Sequence, residues 1–317
     1  MRLATIDLAG RPAAAMILAD GAALPLARVA SLLAGDLPAA MHDAFASGDL
    51  QTVIEADPIA DGTAQMIEAA LAAGRLARDA EPAAAVRLLA PLPRPRKNVF
   101  CVGRNYREHI AEGERAQNKT IGVTEHPVFF TKPPTAVVGP GTAVPIFPHV
   151  SENIDYEVEL AVVIGKAGRD VAPAEAMEYV FGYTILNDIT ARDVQRRHGG
   201  QYFKGKGLDG SCPLGPVIVT ADELSDPANL GIRLSVNGEM RQDGHTADMI
   251  FDIPTQIASL SEGLTLEPGD ILATGTPSGV GYAMDPPVFL RDGDLVVCEI
   301  DGIGRLENRM KAMTSGV

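Results

Sequence analysis

Three acidic residues at metal-binding spacing are the chemically most informative part of this sequence. Glu157 and Glu159 lie two positions apart at the start of the apolar run 158–164, and Asp188 follows a second apolar run, 180–186. Side chains two residues apart on a β-strand point to the same face, so both glutamates would meet at one spot. Neighbouring carboxylates repel one another unless a cation lies between them, and oxygen ligands favour Mg²⁺, Mn²⁺ or Ca²⁺ over zinc. The alternative is an exposed strand end that carries ordinary solvated acids.

A histidine and a glutamate could form a general base. His109 and Glu112 are three positions apart, and residues at this spacing share one face of an α-helix. A histidine that a carboxylate orients can activate water near neutral pH. A surface pair that contributes little to stability is the other interpretation.

A glycine-rich segment offers a cationic group. Residues 205–210 match the G-x-G-x-x-G pattern, but Pro213 and Pro216 follow where the dinucleotide fingerprint requires a helix. We therefore predict no nucleotide cofactor. Lys204 or Lys206 could instead stabilise negative charge or donate a proton, unless both are exposed residues of a turn.

A second glycine-rich segment, 274–281, reads Thr-Gly-Thr-Pro-Ser-Gly-Val-Gly and follows a strand-like run. Its backbone N–H groups and the hydroxyl of Thr276 could bind a carboxylate. A tight connection that needs glycine for its backbone conformation is the alternative.

Short β-type runs separated by turn signals position these residues, and one helix is predicted between residues 252 and 262. Strict alternation of strands and helices is missing, so we predict a β-rich α+β fold rather than a doubly wound sheet. The predicted strands cover 99–102, 128–131, 158–164, 181–186, 217–219, 232–236, 271–274 and 295–300.

The first 95 residues differ from the rest of the sequence in composition and in the spacing of their apolar residues. Residues 2–33 predict a small β-hairpin followed by a helix, and the alanine-rich stretch that follows predicts further helices. The proline-rich, basic stretch 90–97 predicts an extended linker. We therefore predict a small α/β accessory domain over residues 1–95 and a catalytic domain over residues 96–317.

Composition argues against several classes of function. The chain has 317 residues and a formal net charge of −14, so no basic surplus exists to bind nucleic acid. It carries no apolar stretch of the ~20 residues that a membrane helix needs and no signal-peptide pattern. Cys101, Cys212 and Cys298 form no CxxC pair, which predicts reduced thiols in a cytoplasmic protein.

Taken together, these segments resemble the fumarylacetoacetate hydrolase family, in its bacterial acylpyruvase or 2-oxo acid hydrolase form, from about residue 98 to 310. The resemblance implies the family's β-rich fold, Mg²⁺ or Mn²⁺ at the active site and a homodimer. It is carried by segments 103–109, 130–133, 155–160, 187–195, 204–209, 269–281 and 301–304.

The resemblance also assigns roles to individual positions. It places the metal at Glu157, Glu159 and Asp188, and the water-activating dyad at His109 and Glu112. The remaining positions that it implies are the active-site lysine Lys206 and the substrate contacts Arg104, Tyr106, Lys132, Gln195 and Thr276.

These assignments predict a metal-dependent hydrolase that cleaves a C–C bond in a 2,4-dioxo acid, such as fumarylpyruvate or a diketo-deoxy sugar acid, to pyruvate and a carboxylic acid. Decarboxylation of a 2-oxo acid, and isomerisation or hydration of an unsaturated 2-oxo dioic acid, are the alternatives within the same chemistry. A protein that binds a 2-oxo acid without turnover is the non-enzymatic alternative.

Overall fold

The computed structural model describes residues 1–76 and 79–314, so the last three residues of the predicted catalytic domain lie outside the described part. Short 3₁₀ helices cover Ala83–Ala85, Pro134–Ala136, Pro173–Tyr179, Thr246–Asp248 and Gly281–Ala283. The α-helices are α1 (Leu26–Leu32), α2 (Ala39–Ser47), α3 (Leu50–Ala56), α4 (Thr63–Ala72), α5 (Arg107–Gln117), α6 (Arg192–Arg197), α7 (Phe203–Lys206) and α8 (Ile253–Ser261).

Strands dominate the rest of the described chain. The first nine are β1 (Arg2–Leu8), β2 (Arg11–Ile17), β3 (Ala23–Pro25), β4 (Val99–Gly103), β5 (Val128–Lys132), β6 (Val137–Val138), β7 (Val144–Ile146), β8 (Ile154–Asp155) and β9 (Val158–Ile164). The others are β10 (Val180–Asn187), β11 (Thr190–Ala191), β12 (Cys212–Thr220), β13 (Gly231–Val236), β14 (Glu239–His245), β15 (Ile271–Ala273), β16 (Leu295–Ile300) and β17 (Gly304–Ala312).

The strands form a large mixed sheet and two smaller ones. The ten-stranded sheet has the order β3-β2-β1-β12-β10-β9-β15-β4-β5, with β6 paired to β12. A five-stranded sheet has the order β14-β13-β16-β17-β7, and β8 pairs with β11. This arrangement confirms the predicted β-rich α+β fold, and every predicted β-type run overlaps a strand.

Strand β9 lies at the centre of the large sheet, between β10 and β15. All seven of its residues are buried, because both faces of the strand are covered. A continuous run of apolar residues is typical of such a strand, and each buried Val, Leu or Ile contributes roughly 1.5–3 kcal/mol. Glu159 is the exception inside this run, and a buried carboxylate there requires a charged or hydrogen-bonding partner.

The N-terminal region is joined to the main sheet rather than tethered beside it. Strand β1 pairs antiparallel with β12, with Leu3 opposite Ile218. The amide of Gln51 on α3 also donates to the carbonyl of Pro268 over 2.7 Å. The predicted hairpin of β1 and β2 and the helix that begins at Leu26 are confirmed. The domain boundary at residue 95 stays a prediction.

The described helices are all too short or too polar to cross a lipid bilayer.

Candidate active site

The three predicted carboxylates meet at one point. Glu157, Glu159 and Asp188 are buried, and one oxygen from each lies within 4.8 Å of the other two. Glu159 belongs to β9 and Glu157 immediately precedes that strand, so their side chains share a face as the two-residue spacing predicts. The alternative of an exposed strand end is therefore wrong.

Pairing of β9 with β10 brings Asp188 to the glutamates. Val158 lies opposite Asn187 in the antiparallel register, so Asp188, one residue beyond β10, reaches the start of β9. Its backbone N–H donates to the carbonyl of Glu157 over 2.8 Å. The sheet register thus brings together residues that are about thirty positions apart in sequence and fixes the position of the third carboxylate.

Three buried cations surround the carboxylates. Lys206 donates to Glu157 Oε2 and Asp188 Oδ2, each over 2.6 Å. Lys132 donates to Asp188 Oδ1 over 2.6 Å, and Arg192 donates to Glu157 Oε1 over 2.6 Å. Each of these carboxylate oxygens has further lone pairs, so these contacts are compatible with metal coordination.

The pKa values of Glu157 and Glu159 show that the neighbouring cations stabilise these two carboxylates unequally. Burial alone raises the pKa of Glu157, but the charges of Lys206 and Arg192 outweigh burial, and the pKa lies below its ordinary value. Burial, together with the charges of Asp188 and Glu157, raises the pKa of Glu159 well above its ordinary value. Among the described residues, no side-chain cation hydrogen-bonds to Glu159, and the charge of Lys206 does not outweigh its burial.

The donor set fits a hard divalent cation. It consists of carboxylate oxygens only, which Mg²⁺ and Mn²⁺ favour, and its uncompensated member, Glu159, would gain the missing positive charge from such an ion. Glu157, Glu159 and Asp188 would hold the ion, with room for exchangeable ligands on the side of the adjoining cavity.

The predicted dyad is formed on α5. His109 Nδ1 lies 2.7 Å from Glu112 Oε1, and both side chains are buried. The other oxygen of Glu112 accepts the N–H of Gly279 over 2.8 Å. A neutral imidazole that donates from Nδ1 to this carboxylate keeps a lone pair on Nε2. The surface-pair interpretation is therefore wrong.

A cavity of about 250 Å³ joins the dyad to the carboxylates. It holds most of the predicted site residues and several that the sequence argument did not single out. The predicted residues in its wall are Arg104, His109, Glu157, Glu159, Gln195, Lys206 and Thr276. The additional ones include Lys119, Phe130, Arg192, Arg196, Tyr202 and Tyr282.

Two predicted substrate contacts lie outside this cavity. The ammonium of Lys132 is fully buried and donates to Asp188, to the carbonyl of Ile189 and to the carbonyl of Lys206. Its three N–H donors are thereby used, so Lys132 positions Asp188 from behind. Tyr106 lines a second cavity, and its buried hydroxyl has no hydrogen-bond partner in the described part of the chain.

The segment 274–281 binds the protein's own carboxylates. The N–H groups of Gly275, Gly279 and Gly281 each donate over 2.8 Å, to Glu159, to Glu112 and to Asp155 respectively. Thr276 is not free for substrate either, because its hydroxyl donates to the carbonyl of Val158 over 2.9 Å and accepts from Gln242.

Glycine is required in this segment. Gly279 has a φ of +106°, and a Cβ there would lie 2.0 Å from the carbonyl oxygen of Arg241. The conformational interpretation of the segment is therefore correct, whereas the carboxylates that its backbone amides bind belong to the protein and the hydroxyl of Thr276 binds none of them.

Arg192 and Asp155 belong to the hydrogen-bond network of the site, and the sequence analysis did not single them out. Asp155 accepts from Arg192 Nε over 2.8 Å and from the backbone N–H groups of Tyr156, Gly281 and Tyr282. Arg192 in turn lies 4.4 Å from the ring centroid of Tyr282. For Arg192 the sequence did contain an indication. Arg192 lies three residues before Gln195, a predicted site residue, and residues at this spacing share one face of a helix such as α6.

Residues 98–311 match the family model described as "Fumarylacetoacetate (FAA) hydrolase C-terminal". The chain is 51% identical to "Oxaloacetate tautomerase YisK" of Bacillus subtilis over 225 residues, which cover 71% of this chain and 73% of that protein. The chain therefore belongs to the fumarylacetoacetate hydrolase family, which is a family of enzymes.

Solved structures agree over nearly the whole chain. A fumarylacetoacetate hydrolase from Exiguobacterium antarcticum matches with a TM-score of 0.80 and 40% identity, covering 99% of this chain and 100% of that one. A maleylpyruvate hydrolase from Sphingobium sp. SYK-6, in complex with manganese(II) and pyruvate, matches with a TM-score of 0.73 and 34% identity over 99% and 100% of the two chains. The family-type fold predicted from the sequence is confirmed, and a divalent metal at the carboxylates is supported.

Proposed function

We propose that this protein is a metal-dependent enzyme that interconverts the keto and enol forms of oxaloacetate. The observation that carries the proposal is a base of fixed tautomer, His109, facing the same small cavity as the carboxylates that would hold a metal. The similarity to an oxaloacetate tautomerase over 71% of the chain supports the same reaction.

The charge of the cavity wall favours a substrate with two carboxylates. The protein carries a net charge of −14, yet the wall has more cationic than anionic side chains. The carboxylates in the wall are Glu157 and Glu159, whereas the cations are Arg104, Lys119, Arg192, Arg196 and Lys206. Such a local reversal of charge attracts a dianion, and a bound metal ion would increase it.

Proton transfer at C3 is the step that the residues can perform. Nε2 of His109 takes a proton from C3 of the keto form, the C2–C3 double bond forms, and the electron pair of the C=O bond moves to the 2-oxo oxygen. Solvent then protonates that oxygen while the imidazolium of His109 releases its proton to solvent. The bound metal would supply Lewis-acid polarisation of the 2-oxo group. In the reverse direction His109 returns the proton to C3, so that no atom is gained or lost overall.

Lys206 serves as a charge stabiliser rather than as the base. Burial lowers the pKa of its ammonium, but Asp188 and Glu157 outweigh burial and raise it above the ordinary value, so the group stays protonated. Two of its three N–H donors bind those carboxylates. The third is available to the developing negative charge on the substrate, since Lys206 lines the cavity.

The predicted C–C bond hydrolysis is the second candidate. It is favoured by the same dyad, because a histidine that takes a proton from C3 could equally take one from a water molecule that attacks a 4-oxo carbon. The similarity to a maleylpyruvate hydrolase also supports it. For this candidate the cationic wall favours acylpyruvates whose acyl group ends in a carboxylate.

One pair of assays separates the candidates. Enol oxaloacetate is mixed with the Mg²⁺- or Mn²⁺-loaded protein and its ultraviolet absorbance is followed, while fumarylpyruvate is incubated separately and pyruvate is measured with lactate dehydrogenase. Accelerated loss of the enol without pyruvate formation from fumarylpyruvate is expected. Pyruvate formation alone would replace the proposal with hydrolysis, and tight oxalate binding without either reaction would indicate a non-catalytic binding protein.

The homodimer and the cytoplasmic location predicted from the sequence also remain proposals. Sedimentation and fractionation measurements would test them.

A further inference from the structure

Two arginines on one face of α6 contact the same aromatic ring. Arg192 and Arg196 are four residues apart, and their Cζ atoms lie 4.4 and 5.7 Å from the ring centroid of Tyr282. The two differ in their other partners. Arg192 is buried and donates to Asp155 and Glu157, whereas Arg196 is exposed and forms no ion pair with the described residues.

The placement of Arg196 is unfavourable by itself. Like charges four residues apart on a helix repel each other, and here the second guanidinium adds to a cavity wall that is already cationic. An anion bound in the cavity would remove this penalty, because it would give Arg196 a carboxylate partner, which Arg192 already has and which no described residue provides to Arg196.

We propose that Arg196 binds the distal carboxylate of the substrate and thereby makes the site selective for 2-oxo dicarboxylates. This inference rests on the proposed function only for the orientation of the substrate, with its 2-oxo acid end at Glu157, Glu159 and Asp188. The distal end then extends along α6 toward Arg196, past Gln195 and Tyr282, which line the same cavity.

Arg196 suits this role better than the other cations of the wall. Lys206 and Arg192 already bind protein carboxylates. Arg104 and Lys119 line the cavity, but neither stacks on an aromatic ring within the described residues. The ring of Tyr282 orients the guanidinium of Arg196, and an oriented planar fork can bind a carboxylate through two parallel hydrogen bonds.

The test measures binding rather than turnover. Oxaloacetate and 2-oxobutanoate are identical through C3 and differ in whether a carboxylate or a methyl group follows. Their dissociation constants are measured by calorimetry with Mn²⁺-loaded wild-type protein, with Arg196→Gln and with Arg197→Gln. Arg197 is the matched control, because it is the adjacent exposed arginine of α6 and does not line the cavity.

The wild type and the Arg197→Gln variant are expected to bind oxaloacetate about tenfold or more tightly than 2-oxobutanoate, and Arg196→Gln is expected to lose this preference. Binding of 2-oxobutanoate should change little in all three proteins. Arg196→Lys keeps the positive charge but not the planar guanidinium group, so it should retain part of the preference for oxaloacetate over 2-oxobutanoate.

An unchanged preference in Arg196→Gln, or no preference in the wild type, would overturn the inference. The enol assay on wild-type protein is independent of these outcomes. Loss of the preference in Arg196→Gln, together with no tautomerisation by the wild type, would keep the subsite and reject the proposed function.

Discussion

Replacing Glu112 with glutamine tests the proposed base directly. Both oxygens of this carboxylate accept hydrogen bonds, from His109 Nδ1 over 2.7 Å and from the N–H of Gly279 over 2.8 Å. Glutamine has only one acceptor oxygen, so its NH₂ group must face one of these two donors. If it faces His109, Nδ1 becomes the acceptor and the proton moves to Nε2, where the lone pair is needed.

The size of the effect follows from what is lost. A correctly placed general base contributes about 10²–10⁴-fold to a rate, and the wrong tautomer removes this contribution. We therefore expect Glu112→Gln to lower kcat for enol–keto conversion by about 10²-fold or more. Mn²⁺ affinity should stay close to that of the wild type, because Glu112 does not belong to the carboxylate cluster.

Glu108→Gln is the matched control. Glu108 lies one turn earlier on α5, and it does not line the active-site cavity. Stopped-flow measurement of kcat, calorimetry with Mn²⁺ and thermal unfolding are carried out on both variants. A Glu112→Gln protein that is folded, binds Mn²⁺ and retains nearly the wild-type kcat would refute the argument that Glu112 fixes the tautomer in which His109 acts as the base.

Four further predictions concern the carboxylates and the lysine that contacts one of them. Glu159→Gln should abolish both calorimetric Mn²⁺ binding and turnover, since it removes a ligand charge, and retained Mn²⁺ binding would exclude Glu159 as a ligand. Lys132→Met should lower the free energy of unfolding, measured in urea, by about 3–5 kcal/mol, because Asp188 and two carbonyl groups lose a buried donor. A loss of less than about 1 kcal/mol would contradict this role of Lys132. Because the pKa of Glu159 is raised, Mn²⁺ must displace a proton from this carboxyl group at any pH below that pKa. The affinity for Mn²⁺ should therefore fall as the pH is lowered. Calorimetry in buffers of different ionisation enthalpy should detect the released proton. The same raised pKa should make the metal-free protein less stable as the pH rises through it, which thermal unfolding over a pH series would show.

The local part of the site could be predicted from the sequence because it depends on two periodicities. Glu157 and Glu159 share a face since side chains alternate along β9, and His109 meets Glu112 since three residues make nearly one turn of α5. Both relations hold whatever the rest of the fold does.

The missed relations depend on contacts between segments that are distant in sequence. Nothing local to Lys132 indicates that its ammonium lies behind Asp188, because this follows from the placement of β5 and β10 in one sheet. The network of Asp155, Arg192 and Tyr282 likewise spans more than a hundred residues. A family resemblance supplied Lys132 as a site residue, but its position in the structure changes its role.

The segment 274–281 has one further consequence, for how variation in this protein is to be interpreted. The amides of Gly275 and Gly279 fix one oxygen of Glu159 and one of Glu112. The carboxylate cluster and the pair of His109 and Glu112 therefore depend on the same short stretch of main chain. A substitution that shifts this backbone would disturb metal affinity and proton transfer together while leaving every ligand and the histidine in place, so an inventory of active-site side chains alone would misjudge such a variant as harmless.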